Sequence, residues 1–167
     1  MKHPRIYLIG FMGAGKSAVG RCLARRLGWK YIDLDREIER IEGRTVAEVF
    51  SERGEPHFRN LERLRLKEVS KIEKAVIALG GGTFVDAENR SVVQNSGTAV
   101  WLKVSFPRAM ERVKIDGTRP MFAGKDQARK LHQDREPFYA LAKVHVSTDD
   151  RSPDSVAEEI VGVIRKL

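Results

Sequence analysis

The sequence has few of the features that mark secreted, membrane-bound or linker-rich proteins. It contains a single cysteine, Cys22, which excludes an internal disulfide and favours a reducing, cytoplasmic setting. No run approaches the roughly 20 apolar residues that a membrane-spanning helix needs. The apolar segment RIYLIG near the N-terminus meets glycines and Lys16 and lacks the cleavage site of a signal peptide. Proline- or serine-rich linkers and internal repeats are also absent, so we expect one domain over residues 1–167.

The charge is unbalanced toward the positive sign. The chain carries 31 Lys and Arg against 23 Asp and Glu, which gives a net charge of +8. Such a charge is compatible with nucleic acid, an acidic surface or an anionic small molecule as partner. However, the cations are interleaved with acidic residues, as in ERLRLKEVSKIEK, which is typical of a solvated helix face. Charge alone therefore does not decide between these partners.

Apolar runs rich in β-branched residues alternate with longer segments of helical character. The runs are RIYLIG, KYIDL, KAVIALG, TAVWLKV and KVHVST. This alternation predicts βαβ units and hence an α/β fold, in which a five-stranded parallel sheet carries helices on both faces. One helix is predicted from Lys16 to Leu27, ended by Gly28, and another from about Pro153 to the C-terminus.

Between the second and third strands, residues 35–74 are predicted to form a long helical insertion, a common site of substrate binding. The buried face of its last helix is predicted to consist of Phe58, Leu61, Val69 and Ile72. Arg65 interrupts that apolar stripe. Residues 116–126, DGTRPMFAGKD, are rich in glycine and predict a mobile loop between two helical stretches.

The segment GFMGAGKS, residues 10–17, follows the first strand directly and matches the phosphate-binding pattern G-x-x-x-x-G-K-[ST]. Its glycines allow the backbone to curl so that successive N–H groups surround phosphate oxygens, and the next helix adds the positive end of its dipole. Lys16 is predicted to reach the β and γ phosphates, and the Ser17 hydroxyl to bind Mg²⁺. The residues assigned to ATP in this loop are Gly13, Ala14, Gly15, Lys16, Ser17 and Ala18. The alternative is a glycine-rich turn with an exposed lysine.

Polar or glycine residues also follow the second and third strands, where parallel sheets place their ligands. Asp33 and Asp35 of YIDLD, on an extended chain, are predicted to face the same side. One could hold the metal through water while the other accepts a proton from an attacking hydroxyl, or Asp35 could only cap a helix near Arg36. The run at residues 80–82 could bring backbone N–H groups close to a ligand, or form a flexible turn.

Together these features resemble the shikimate kinase family, and the resemblance covers nearly the whole chain. The family pattern D-x-D, I-E-x-x-x-G, F-R-x-x-E, G-G-G, R-P and R-x-P-x-Y appears in order as DLD, IERIEGRTVAEVF, GEPHFRNLE, LGGGTF, TRPMF and REPFYALA. The resemblance implies the three-layer P-loop kinase fold of the nucleoside monophosphate kinases, with a substrate-binding insertion at about 35–74 and a lid at about 114–126. It also implies Mg²⁺-dependent transfer of the ATP γ-phosphoryl group to the 3-hydroxyl of shikimate.

The resemblance further implies roles at the acceptor side of the site. Asp35 would contact the shikimate hydroxyls and orient or deprotonate the attacking one. Arg59 and Arg135 would grip the shikimate carboxylate, a task that suits planar guanidinium groups. Alternatively, Arg59 pairs with the glutamate three residues later, and both roles are compatible. Backbone N–H groups of Gly81 and Gly82 would bind the substrate beside the phosphate.

On the nucleotide side, Asp33 would hold Mg²⁺ together with the serine of the phosphate loop. Arg119 resembles the lid arginine that closes over ATP and neutralises charge on the transferred group. Arg151 and Pro153 match the late loop that lines the adenine. The segment ERVKID, ahead of the lid, is interpreted as lacking the arginine that often stacks on adenine, with Lys114 as its substitute.

Two other functions remain as alternatives. A gluconate kinase of the same fold would share the phosphate loop but would not need F-R-x-x-E, G-G-G and R-x-P-x-Y together. A non-catalytic nucleotide-binding module that docks on nucleic acid would show steep salt dependence, and the intact Lys16, Ser17, Asp33 and Asp35 argue against it. The expected protein is a cytoplasmic monomer whose partners are shikimate and ATP, without nucleic acid or membrane.

Overall fold

A computed structural model of the chain describes residues 4–116 and 124–167. Its strands are β1 (Arg5–Ile9), β2 (Lys30–Asp33), β3 (Ala75–Ala78), β4 (Thr98–Lys103) and β5 (Val144–Ser147). All neighbouring strands pair in parallel, in the order β2-β3-β1-β4-β5. The predicted five-stranded parallel sheet is therefore confirmed over the described residues.

In these two ranges, one to three α-helices follow each strand along the chain. They are α1 (Lys16–Leu27), α2 (Leu34–Glu42), α3 (Val46–Arg53), α4 (Glu55–Val69), α5 (Ala87–Ser96), α6 (Phe106–Asp116), α7 (Lys125–Tyr139) and α8 (Pro153–Ile164). The predicted bounds of α1 and the predicted start of α8 are confirmed. No helix in the described part of the chain is both long and apolar enough to cross a bilayer.

The central strands are buried along their whole length. Every residue of β1 and β3 is inaccessible or nearly so, as parallel strands are when helices cover both faces of the sheet. Helix α1 packs on β3 and α8, whereas α5 packs on β4 and α8 on β5. The result is a three-layer α/β fold. The chain leaves β1 toward one edge of the sheet and later crosses to β4 on the other side, which creates a crevice at the carboxyl end of β1.

Helix α2 begins at Leu34, two residues earlier than the sequence suggested. Asp33 is its N-cap, because the Asp33 carboxylate accepts a hydrogen bond from the Arg36 amide at 3.2 Å. Asp35 therefore lies in the first helical turn. The prediction that Asp33 and Asp35 share an extended segment is wrong, and so is the alternative that Asp35 caps this helix.

The predicted helical insertion consists of α2, α3 and α4. The buried face of α4 differs from the predicted apolar stripe, since it consists of Phe58, Glu62, Leu66 and Val69. Ile72 lies beyond the end of the helix and Leu61 is only partly buried. The sequence pattern assigned Glu62 to the solvated face of the helix. The buried face is shifted because Glu62 has hydrogen-bonding partners inside the protein.

The predicted loop at 116–126 includes helical residues at both ends. Helix α6 continues through Asp116, and α7 begins at Lys125 directly after Gly124. Arg119, assigned to the lid, lies outside the described residues, as does most of the predicted lid at 114–126.

Candidate active site

A cleft of about 260 Å³ lies at the carboxyl ends of β1, β2 and β3. Its lining residues are Met12, Gly13, Gly15, Lys16, Ser17, Ala18, Asp33, Asp35, Ala78, Leu79, Gly80, Arg112 and Val113. The cleft thus brings together the phosphate loop, both aspartates and the first glycine of the 80–82 run. These segments are far apart in the chain, and the parallel sheet places them at one edge.

The phosphate loop follows β1 and curls tightly before α1. Gly13 has a φ of +77°, and a Cβ there would lie 2.7 Å from the Ala109 carbonyl oxygen of α6, so only glycine fits. The Lys16 ammonium folds across the loop and donates to the carbonyl oxygens of Gly10 at 2.7 Å and Phe11 at 3.1 Å. Since the helix begins after Gly15, which has no side chain to cap it, the first N–H groups of α1 face an anion site.

Ser17 and Asp33 supply the oxygen atoms suited to a divalent cation. The Ser17 hydroxyl donates to Oδ2 of Asp33 at 3.4 Å, while Oδ1 of the same carboxylate caps α2. Mg²⁺ prefers hard oxygen ligands and is usually bound by one or two protein oxygens together with substrate phosphates. The pair beside the phosphate loop fits this ion.

Asp35 lies at the boundary between the phosphate loop and the 80–82 run. A Cβ placed on Gly80 would be 3.0 Å from Asp35 Oδ1, so the carboxylate and the glycine backbone are in close contact. The side chain also lines the cleft. A carboxylate in this position can accept a proton from a hydroxyl bound between the two segments.

Arg59 of α4 and Arg135 of α7 converge on the same glycine run. A Cβ on Gly82 would lie 2.5 Å from Nη2 of Arg59, and a Cβ on Gly81 would lie 2.7 Å from Nη1 of Arg135. Side chains at these two positions would therefore displace the guanidinium groups. Two guanidinium groups that converge on one backbone segment can bind a carboxylate through paired hydrogen bonds.

Buried Glu62 orients Arg59, which confirms the alternative i,i+3 pairing. The Glu62 side chain is fully buried, accepts from Arg59 Nη1 at 3.0 Å and accepts from the Thr83 hydroxyl at 2.7 Å. Thr83 directly follows the glycine run, so the carboxylate links α4 to that loop. The sequence signal for this contact was the F-R-x-x-E spacing, but its burial was not predictable from it.

Arg112 is a site residue that the sequence analysis missed. Its guanidinium donates to the carbonyl oxygen of Gly13 at 2.9 Å and to that of Thr148 at 2.8 Å, and it lines the cleft. ERVKID thus brings an arginine to the phosphate-loop end of the cleft, and the interpretation that this segment lacks an adenine-stacking arginine stays a prediction. The side chain of Lys114, the suggested substitute, lies outside the described part of the structure.

Arg151 and Pro153 do not line the described cleft. The Arg151 guanidinium donates to the carbonyl oxygens of Ser147 and Ser155 and pairs with Glu159 of α8. Pro153 occupies the first turn of α8. The structure thus shows Arg151 bracing the loop between β5 and α8, and the assignment of this loop to the adenine stays a prediction.

Comparisons with known proteins find shikimate kinases by family model, by sequence and by structure. The family model for shikimate kinase matches residues 12–165. The shikimate kinase of Persephonella marina is 38% identical over 161 residues, covering 96% of this chain and 98% of that protein. The solved shikimate kinase of Acinetobacter baumannii, in complex with shikimate, superposes with a TM-score of 0.93 at 34% identity and covers 98% of this chain and 94% of that one. A deoxyadenosine kinase from M. mycoides, at 18% identity and a TM-score of 0.65, shares the fold.

Proposed function

This chain belongs to the shikimate kinase family, and we propose that it uses the cleft at the carboxyl end of β1 to phosphorylate the 3-hydroxyl of shikimate. It is an ATP-dependent phosphotransferase whose products are shikimate 3-phosphate and ADP. One observation carries the assignment of the acceptor site: Arg59 and Arg135 both abut the glycine run beside the phosphate loop. A small alcohol that bears a carboxylate matches this arrangement.

At the nucleotide end, backbone N–H groups of residues 13–18 bind the phosphates of ATP. Lys16 neutralises charge on the β and γ phosphates, which is the main task of a protein in phosphoryl transfer. Ser17 and Asp33 would hold Mg²⁺, which supplies further positive charge at the phosphates when it is bound. The contact between these two side chains supports their pairing in one ligand set.

At the acceptor end, Arg59 and Arg135 bind the carboxylate of shikimate, and the N–H groups of Gly81 and Gly82 bind beside it. This grip places the reacting hydroxyl near Asp35, which orients it and accepts its proton as the new O–P bond forms. The proximity of Asp35 to Gly80 supports this role, since the carboxylate lies between the phosphate loop and residues 80–82.

We further propose that residues 35–74 are the substrate-binding insertion and residues 114–126 the lid. Arg119 then closes over ATP and neutralises charge on the transferred group, and Arg151 and Pro153 line the adenine. Closure excludes water, which prevents ATP hydrolysis when no acceptor is bound.

We propose that the enzyme works as a cytoplasmic monomer, without nucleic acid or a membrane. Cys22 is a free thiol, as expected of a protein in a reducing compartment. The net charge of +8 is compatible with anionic substrates, since ATP and shikimate are both negatively charged.

The test is ADP release by the purified protein with Mg-ATP and shikimate, gluconate or no acceptor. Shikimate-dependent release is expected, with little release in its absence. Lys16→Met should lower the rate by at least about 100-fold, because a preorganised charge at the phosphates is lost. Lys30→Met is the matched control: Lys30 is an exposed lysine at the start of β2, at the opposite end of the strand from the cleft.

Each other outcome has a distinct meaning. Release with gluconate alone would keep the phosphate loop but reject the roles of Arg59 and Arg135. ATP binding without release for any acceptor would favour the non-catalytic module. Equal rates for Lys16→Met and Lys30→Met would reject the role assigned to the phosphate loop.

A further inference from the structure

The carbonyl oxygens of the glycine run are held in two different ways. Those of Gly80 and Gly82 accept turn hydrogen bonds from the amides of Thr83 at 3.1 Å and Val85 at 3.2 Å. The carbonyl oxygen of Gly81 instead accepts a hydrogen bond from the Tyr139 hydroxyl at 2.5 Å. A side chain from α7 therefore fixes the middle peptide of a loop that lies 58 residues earlier in the chain.

The direction of one carbonyl determines the direction of the next amide. In a planar trans peptide, the C=O of Gly81 and the N–H of Gly82 point in opposite directions. With the oxygen held by Tyr139, the Gly82 N–H points away from Tyr139. Among the described residues, the N–H groups of Gly81 and Gly82 make no hydrogen bond to another protein group, so both donors are available to a ligand.

Tyr139 is placed to hold this peptide rigidly. It is only 1% exposed, and its ring packs against Trp101 with the centroids 5.9 Å apart. It lies four residues after Arg135, so both side chains extend from one face of the last turn of α7. Burial raises the pKa of the Tyr139 hydroxyl to about 12, which keeps the hydroxyl protonated and able to donate.

We propose that Tyr139 is a positioning residue of the acceptor site, whose hydroxyl holds the Gly81–Gly82 peptide so that the Gly82 N–H donates to the bound substrate. The last turn of α7 then supplies both the Arg135 guanidinium and the Tyr139 hydroxyl, and this hydroxyl orients the Gly82 N–H. The inference rests on the substrate-binding roles proposed for Gly82, Arg59 and Arg135. It adds a residue that touches no substrate but determines how tightly the acceptor is bound.

The hydroxyl is needed because glycines flank the peptide on both sides. Glycine adopts many backbone conformations at little cost, so the Gly81–Gly82 peptide can rotate once its carbonyl loses its partner. Without Tyr139 Oη, that partly buried carbonyl gains by turning toward water, and the Gly82 N–H turns with it. We expect about a tenfold loss of shikimate affinity, the size of one misdirected hydrogen bond to a charged group.

The experiment compares Tyr139→Phe with Tyr7→Phe. Both variants keep a buried ring and lose one hydroxyl, since Tyr7 is fully buried in β1 and its hydroxyl lies 2.7 Å from Ser96 Oγ. The measurements are the Kd of shikimate by calorimetry, the KM of each substrate, kcat and Tm. Tyr139→Phe should raise the Kd and KM of shikimate about tenfold and change the KM of ATP less than about twofold. Tyr7→Phe should lower Tm about as much as Tyr139→Phe does, and it should leave both KM values unchanged.

Two results would overturn the proposal. If Tm falls in both variants and the KM of shikimate changes in neither, the hydroxyl of Tyr139 is only structural. If the KM values of ATP and shikimate rise together in Tyr139→Phe, the whole site has loosened. A wild-type protein without shikimate-dependent turnover would instead contradict the proposed function itself, which the wild-type control detects separately.

A second measurement follows the Gly82 amide directly. In wild-type protein labelled with ¹⁵N-glycine, the Gly82 amide proton should move downfield when shikimate is added, as a newly formed hydrogen bond requires. An unchanged Gly82 resonance under saturating shikimate would reject the proposal, whereas a shift that is lost in Tyr139→Phe would support it.

Discussion

At the scale of single residues, the proposed acceptor site depends on a buried carboxylate, Glu62, that holds the Arg59 guanidinium in place. Glu62 is fully buried, a position that a carboxylate tolerates only with charged and hydrogen-bonding partners. Arg59 and Thr83 are those partners. Nη1 of Arg59 pairs with Glu62, whereas Nη2, the atom nearest to Gly82, makes a long contact of 3.5 Å with exposed Glu55. The ion pair with Glu62 and the proposed substrate contact therefore use different nitrogens of one guanidinium.

Arg59→Lys tests this division. Lysine keeps a positive charge near Glu62 but loses the planar fork that binds two oxygens at once. We expect the KM of shikimate to rise by about 10- to 100-fold and the KM of ATP to stay within about twofold, measured by steady-state kinetics.

The matched control is Arg63→Lys on the same helix. Arg63 pairs with Asp86 at 2.6 Å, outside the glycine run, so neither KM should change. Equal changes in both KM values for Arg59→Lys would show that the residue supports the fold and not the acceptor.

At the scale of elements, α6 links two loops that come from opposite parts of the chain. Arg112 joins the phosphate loop at Gly13 to the loop after β5 at Thr148. The main chain of Ala109, one turn earlier, packs against Gly13. Helix α6 thus braces the nucleotide end of the cleft.

Arg112→Ala should weaken this brace. We expect the KM of ATP to rise about tenfold with the KM of shikimate nearly unchanged, because two hydrogen bonds from a charged group are lost at the nucleotide end. The comparison variant is Arg108→Ala, one turn earlier, whose ion pairs with Glu111 and Asp150 are exposed and should contribute little. A larger effect of Arg108→Ala than of Arg112→Ala would contradict the assignment.

At the scale of the whole molecule, stability in acid depends on carboxylates that face α4. Arg65 lowers the pKa of Glu37 below its usual 4.5, and Arg63 lowers the pKa of Asp86 below its usual 3.8. In the unfolded chain these carboxyls take up protons first as the pH falls. Their contribution is therefore complete above about pH 5 and is lost as the pH falls through the lowered values.

We accordingly expect the urea midpoint to fall between pH 5 and pH 3, measured by circular dichroism. Asp86→Asn should have a shallower fall than wild type, because the charge is removed while asparagine still caps α5, where Asp86 now accepts from Asn89. The difference at pH 7 should not exceed about 1 kcal/mol, as for other partly exposed pairs. A fall of equal steepness in both proteins would show that other groups control acid unfolding.

The sequence by itself determined the features that depend on contiguous residues. The phosphate loop, the five strands and the bounds of α1 follow from spacing, periodicity and glycine chemistry, and the structure confirms them. The family was also recognisable from the sequence, because six short motifs occur in order.

Only the tertiary structure decided which distant groups meet. Thr83 and Glu62 are 21 residues apart, Tyr139 and Gly81 are 58 apart, and Arg112 and Gly13 are 99 apart. Each contact buries a polar group against a partner that no local pattern specifies, which is why the burial of Glu62 and the role of Arg112 were missed. Local patterns report which backbone a segment prefers, whereas the direction and partner of a polar side chain are determined by packing that brings separate segments together.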